Sequence, residues 1–146
     1  MSLDDLYRRV IMDHYQNPRN KGRLEDDAVT VDLNNPTCGD RISLQMRIKD
    51  DTIEDVKFLG EGCSISIASA SMMTQAIKGL KVEEALSLVH LFSQMVQGEE
   101  VDFERFPLED IEALSGVSKF PARIRCATLA WKAMKEGIQP LVENDS

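Results

Sequence analysis

A chain of 146 residues, 42% hydrophobic and 29% charged, suits one globular domain, residues 1–146, with its own core. Its net charge of −8 argues against nucleic-acid binding, which needs a basic stripe to displace phosphate counterions. The longest uncharged stretch, residues 62–77, is too short and too rich in serine to span a bilayer, so neither nucleic acid nor membrane is an expected partner.

In chain order, residues 2–16 predict an amphipathic helix, with Leu3, Leu6, Tyr7, Val10, Ile11 and His14 on one stripe. Ser2 followed by Asp5 is a variant of the capping box, and Pro18 stops the helix in a polar loop. His14 reads as a packed or capping histidine rather than a ligand, and Tyr7 and Tyr15 as core residues. The period then changes to two. Residues 28–33 predict a strand. Ile42, Leu44, Met46 and Ile48 alternate with polar neighbours in a second strand. Asp50-Asp51 makes a turn, and a third strand ends at Gly60. Short connections predict an antiparallel meander with one covered face.

From Cys63 onward the pattern is helical. Ile65, Ala68, Met72 and Ala76 share a stripe that Gly79 ends, with Met73 as further core filler. Residues 82–97 predict a second helix, with Val82, Leu86, Val89 and Val96 inward and His90 mid-helix with no ligand beside it. Residues 98–119 are mixed, with a short helix near 108–114; Glu99-Glu100 and Glu109-Asp110 read as solvated faces. Pro121 suits the start of a last helix running to about Gly137. The fold class is therefore α+β: a three-stranded antiparallel sheet with an N-terminal helix and several C-terminal helices packed on it.

Three cysteines carry the chemistry. An odd number excludes a fully paired disulfide framework. The first residues lack the basic region and apolar run of a secretory signal, so the expected compartment is the cytoplasm, where thiols stay free or bind metal. Cys38 and Asp40 share a Pro/Gly loop between two strands, where side chains two apart can converge. Cys63 sits at a strand-to-helix junction, whose partial positive charge and free N–H groups suit an anionic sulfur. Cys126 lies in the first turns of the last helix. If both helices start at the loop edge of the sheet, the three thiols and Asp40 meet. Such a set can hold zinc, or an iron–sulfur cluster with Asp40 as an unusual fourth ligand. Three buried structural cysteines are the competing account.

The segments Asp13-His14-Tyr15-Gln16-Asn17-Pro18-Arg19-Asn20, Asn35-Pro36-Thr37-Cys38-Gly39-Asp40 and Gly60-Glu61-Gly62-Cys63-Ser64-Ile65-Ser66 resemble the U-type iron–sulfur assembly proteins. The resemblance runs from about Leu6 to the end of the last helix. Two departures separate this chain from the scaffold branch. Arg125, rather than His, precedes the third cysteine, and Ser118-Lys119-Phe120-Pro121-Ala122-Arg123 stands where that branch has a Leu-Pro-Pro-Val-Lys segment. The separation between Cys63 and Cys126 is also longer, with residues 98–117 as the insertion. These features are similar to the SufU branch.

The resemblance implies Zn2+ held by Cys38, Asp40, Cys63 and Cys126, and a cysteine desulfurase as partner. It implies an accessory sulfur carrier rather than a self-standing enzyme, passing sulfur to an iron–sulfur scaffold or to apo-protein acceptors. In the mechanism it suggests, a partner histidine displaces Cys38 from zinc and the freed thiolate takes the partner's persulfide sulfur. Cys38 is the expected sulfur acceptor. Arg125 is expected beside the ligands, pairing with Asp40 or offsetting excess negative charge. Two other functions use the same residues: a scaffold for a transient iron–sulfur cluster (iron and Fe–S in place of zinc), and an interaction module with a structural zinc.

Overall fold

The two-residue period of the sheet strands and the Asp-Asp turn set out a three-stranded sheet. In the computed structural model, β1 (Val29–Asn35), β2 (Asp40–Lys49) and β3 (Thr52–Glu61) form an antiparallel sheet in the order β1-β2-β3. The described residues are 3–25, 28–35, 39–99, 101 and 110–143, with side chains described from Arg8 to Val142. Asp50 and Asp51 both adopt positive φ, 53° and 62°, between the paired Lys49 and Thr52. A two-residue turn of that hand matches the twist of the strands it joins, and aspartate tolerates it better than bulkier residues do. Ile42, Leu44 and Met46 of β2 and Ile53, Val56 and Phe58 of β3 all point into the core.

Helix α1 (Leu3–Gln16) precedes the sheet. Helices α2 (Ser64–Ile77) and α3 (Val82–Val96), a 3₁₀ segment (Ile111–Lys119) and α4 (Pro121–Glu143) follow it. Helix α2 is the central one: every residue from Ser66 to Thr74 is buried. A helix buried all round cannot be read from one stripe, which is why only part of its buried surface is visible in the spacing. Its serines are satisfied rather than stranded. Ser69 Oγ donates to the Ala127 carbonyl at 2.6 Å and accepts from Trp131 Nε1 at 2.9 Å. Trp131 in turn stacks on Phe92 of α3, with ring centroids 4.2 Å apart.

The segment from Asp13 to Asn20 is the strap that holds α1. His14 is fully buried and sits between Ser71 Oγ and Asp110 Oδ2, both at 2.8 Å. The Arg19 N–H donates to the same serine oxygen at 2.8 Å. An imidazole protonated on Nε2 satisfies all three groups: Ser71 donates to Nδ1, and Nε2–H donates to the carboxylate. Asn20 then pairs with the edge of β3, its carbonyl accepting from Phe58 N at 3.0 Å. At the surface, the hydrogen bond from Arg19 is the main influence holding the Asp13 carboxyl below its ordinary range.

Four expectations change. Tyr15 is not a core residue but is 40% exposed, because the helix turns its His14 face inward and Tyr15 outward. Asp110 is not simply solvated, since it binds His14. The helix expected near 108–114 is a 3₁₀ segment starting at Ile111, and residues 102–109 lie outside the described residues. Helix α4 does not end near Gly137 but runs to Glu143 through an exposed Pro140. Gly137 is a contact residue: a β-carbon there would lie 2.7 Å from Met46 Cε and 3.2 Å from methyls of Val29 and Val31. Its lack of a side chain lets α4 lie close on the sheet.

Replacing His14 with Ala removes the partner of two polar groups and leaves Ser71 buried without its imidazole. The expected cost is about 2 kcal/mol, read from denaturant melts. Hydrogen exchange should quicken in α1 more than in α3.

Candidate metal centre

One strand and two helix starts deliver the site. Asp40 is the first residue of β2, paired with Asn35 across the β1–β2 connection, and the Gly39 N–H donates to the Asn35 carbonyl at 2.8 Å. Gly39 holds φ +74° there, a left-handed conformation that glycine adopts without penalty. Cys63 is the N-cap of α2, immediately after β3. Cys126 lies in the second turn of α4, fully buried, with its Sγ 3.8 Å from the Ala122 carbonyl.

Asp40 is fully buried too, and its carboxylate hooks the start of α2. Oδ1 accepts from the Cys63 backbone N–H at 2.9 Å, and Oδ2 accepts from Ser66 Oγ at 2.7 Å. Helix α2 has no acidic residue in its own first turn. The strand carboxylate therefore supplies the negative charge that a helix N-terminus favours. Gly62 makes room for it. With φ at +144°, a β-carbon at this position would run into Asp40 Oδ1.

The ligand atoms of Asp40, Cys63 and Cys126 all lie within 4.8 Å of one another, and Cys63 Sγ is 3.9 Å from Asp40 Oδ2. Zinc bond lengths in a tetrahedral site place sulfur and oxygen ligands roughly 3.6–3.8 Å apart, so a small contraction seats one ion. The chemistry of the set agrees. Among the described residues Asp40 has no ion pair, and a buried carboxylate beside two thiols is the kind of site that a cation completes. Two thiols and a carboxylate fit zinc or iron and suit magnesium or calcium poorly.

Cys38, the remaining residue expected here, lies outside the described residues. Arg125 is exposed one residue before Cys126 and, among the described residues, makes no ion pair with Asp40. His14 is far along the chain in its own cluster, and His90 is exposed on α3. Ser66 was missed as a site residue. Its signal was present: it stands three residues after Cys63 and so shares that face of the helix. A cavity of about 330 Å³ opens beside Gly62, lined by Tyr15, Lys21, Phe58 and Ile67 among others.

The fold and the site define an α+β protein whose sheet-to-helix junctions gather a thiol–carboxylate cluster of metal-binding type. The chain belongs to the NifU-like N terminal domain family, which it matches over residues 6–143. It is 66% identical to the zinc-dependent sulfurtransferase SufU of Bacillus subtilis (strain 168), over 94% of this chain and 92% of that protein. It is 52% identical to the iron–sulfur cluster assembly scaffold protein IscU of Streptococcus pyogenes serotype M1, over 94% and 85%. Among solved structures it is similar to a putative iron–sulfur cluster assembly scaffold protein for the SUF system from Fervidobacterium islandicum AW-1. That match has a TM-score of 0.84 and 31% identity, over 94% of this chain and 99% of the other.

Gly62→Ala and Gly39→Ala both place alanine at positive φ, but only residue 62 has a carboxylate in the way. Gly39→Ala should cost about 1 kcal/mol of stability and leave metal uptake near normal. Gly62→Ala should cost more and displace Asp40, weakening zinc retention against a chelator by about tenfold or more. Thermal melts and chelator competition on the two variants check this.

Proposed function

We propose that this protein is a zinc-dependent sulfur acceptor in iron–sulfur cluster assembly, loaded by a cysteine desulfurase. The convergence of Asp40, Cys63 and Cys126 on one point carries the reading. The 66% identity to a zinc-dependent sulfurtransferase supports zinc as the ion and sulfur transfer as the task.

Asp40, Cys63 and Cys126 would hold the metal, with Cys38 as the fourth ligand and the sulfur acceptor. Cys38 stands two residues before Asp40 in the sequence. Bound zinc supplies a Lewis acid that favours the deprotonated thiols. The transfer itself needs only sulfur chemistry. The Cys38 thiolate attacks the terminal sulfur of the partner's persulfide, a new S–S bond forms on Cys38, and the partner's cysteine leaves as a thiolate. Cys63 and Cys126, fixed on helices, keep the site assembled. Arg125, exposed and next to Cys126 in sequence, would supply a positive charge to offset the negative ligand set. The loaded sulfur would pass to a downstream scaffold or apo-protein.

A second reading, a scaffold that assembles a transient iron–sulfur cluster on the same ligands, is favoured by the 52% identity to the streptococcal IscU scaffold.

Freshly purified protein is expected to contain one tightly held zinc per chain. With the desulfurase and cysteine it should stimulate turnover and gain the mass of one sulfur atom on Cys38. Cys38→Ala should abolish both effects; full stimulation by that variant would sink the proposal. Iron, sulfide and visible absorbance in place of zinc would favour the scaffold. Zinc with no response to the desulfurase would favour a structural metal.

A further inference from the structure

Ser66 occupies a singular place at the metal centre. It is 1% exposed, and its hydroxyl oxygen lies 2.7 Å from Asp40 Oδ2, 3.1 Å from the Cys126 carbonyl oxygen and 3.8 Å from Cys63 Sγ. One side chain thus touches all three of the residues that converge there. Its single proton can serve only one acceptor at a time. The distance of 2.7 Å is that of a charge-assisted hydrogen bond to a carboxylate, so Asp40 takes it in this arrangement.

The consequence for Asp40 is specific. Oδ1 is engaged by the backbone N–H of Cys63, while Oδ2 faces Cys63 Sγ at 3.9 Å. The oxygen that Ser66 holds is therefore the one that faces the Cys63 thiol. Each oxygen accepts one hydrogen bond and keeps a lone pair, but Oδ2 is the one that faces Cys63 Sγ and so is the better placed to meet a metal. The Cys126 carbonyl offers the serine hydroxyl a second acceptor, so the hydroxyl would stay paired when Oδ2 turns to a metal. That carbonyl belongs to α4, so the grip on Asp40 is connected to the helix that brings Cys126.

We propose that Ser66 is a positioning residue for the metal centre: its hydroxyl fixes Asp40 as a one-oxygen ligand and so sets how readily the bound ion exchanges. This rests on the zinc reading given above. Groups that orient a metal ligand typically change metal affinity 10–100-fold when removed, and Ser66 is placed to do so through Asp40.

The test is a double-mutant cycle on the full chain, with zinc release to a chelator as readout. Ser66→Ala should release zinc about tenfold faster than the parent protein. Ser66→Thr, which keeps a hydroxyl, should behave like the parent. In an Asp40→Ala background, Ser66→Ala should add nothing further. The visible spectrum of Co2+-loaded Ser66→Ala should shift in the same direction as that of Asp40→Ala, a change that loss of stability alone would not produce. Parent-like release by Ser66→Ala overturns the proposal, as does a full Ser66→Ala effect in the absence of Asp40. Failure of the parent protein to retain zinc overturns the zinc reading itself, and this proposal with it.

Discussion

The hydrogen bond from the Cys63 N–H to the Asp40 carboxylate is the constraint from which the rest of the site follows. It joins the first residue of β2 to the N-cap of α2 across 23 residues of sequence. It satisfies a helix-terminal N–H that no local side chain caps. It also holds a negative charge at the positive end of a helix and points it at two thiols. Gly62 exists to let the two backbones come this close. Sheet, helix and site are therefore settled by one contact.

Seen from that contact, the division of labour among the cysteines has a physical basis. Cys126 is buried inside α4 and Cys63 is fixed by the cap of α2. Neither can travel far without unmaking helical hydrogen bonds. A thiol that must leave a metal and return to it is better carried by a connection between strands. Cys38 belongs to such a connection, between the paired residues Asn35 and Asp40. The proposed division into two anchors and one acceptor rests on Cys63 and Cys126 standing on helices.

Much of this was legible in the sequence because the signals were local. Alternation in β2, the Asp-Asp turn and Pro121 at a helix start are short-range patterns, and the structure follows them. Cys-Gly-Asp and Gly-Glu-Gly-Cys located Asp40 and Cys63 for the same reason. What escaped depended on contacts between distant segments. Gly137 reads as a helix stop unless Met46, Val29 and Val31 are known to lie beneath it. Asp110 reads as a surface charge unless His14, 96 residues away, is placed beside it. Ser66 reads as one more polar position in a serine-rich helix. Tyr15 was assigned inward because periodicity alone does not say which edge of an apolar stripe the neighbouring elements will cover.

The close seat of α4 on the sheet has a mechanical consequence. Gly137 and Cys126 are eleven residues apart on one continuous helix, about 16 Å at the usual rise. The glycine acts as a fulcrum near one end, and the thiol rides on the arm toward the other. The arm is held as well: the Ala127 carbonyl accepts from Ser69 of α2 and the Cys126 carbonyl lies 3.1 Å from Ser66 Oγ, so α4 is fixed both where it lies on the sheet and where it brings the thiol. The position of the Cys126 sulfur is thus shared between two neighbours of α4, the sheet face under Gly137 and the buried serines of α2. A methyl group added at Gly137 would press on Met46 Cε and on the methyls of Val29 and Val31, and its first effect would be felt in that seat.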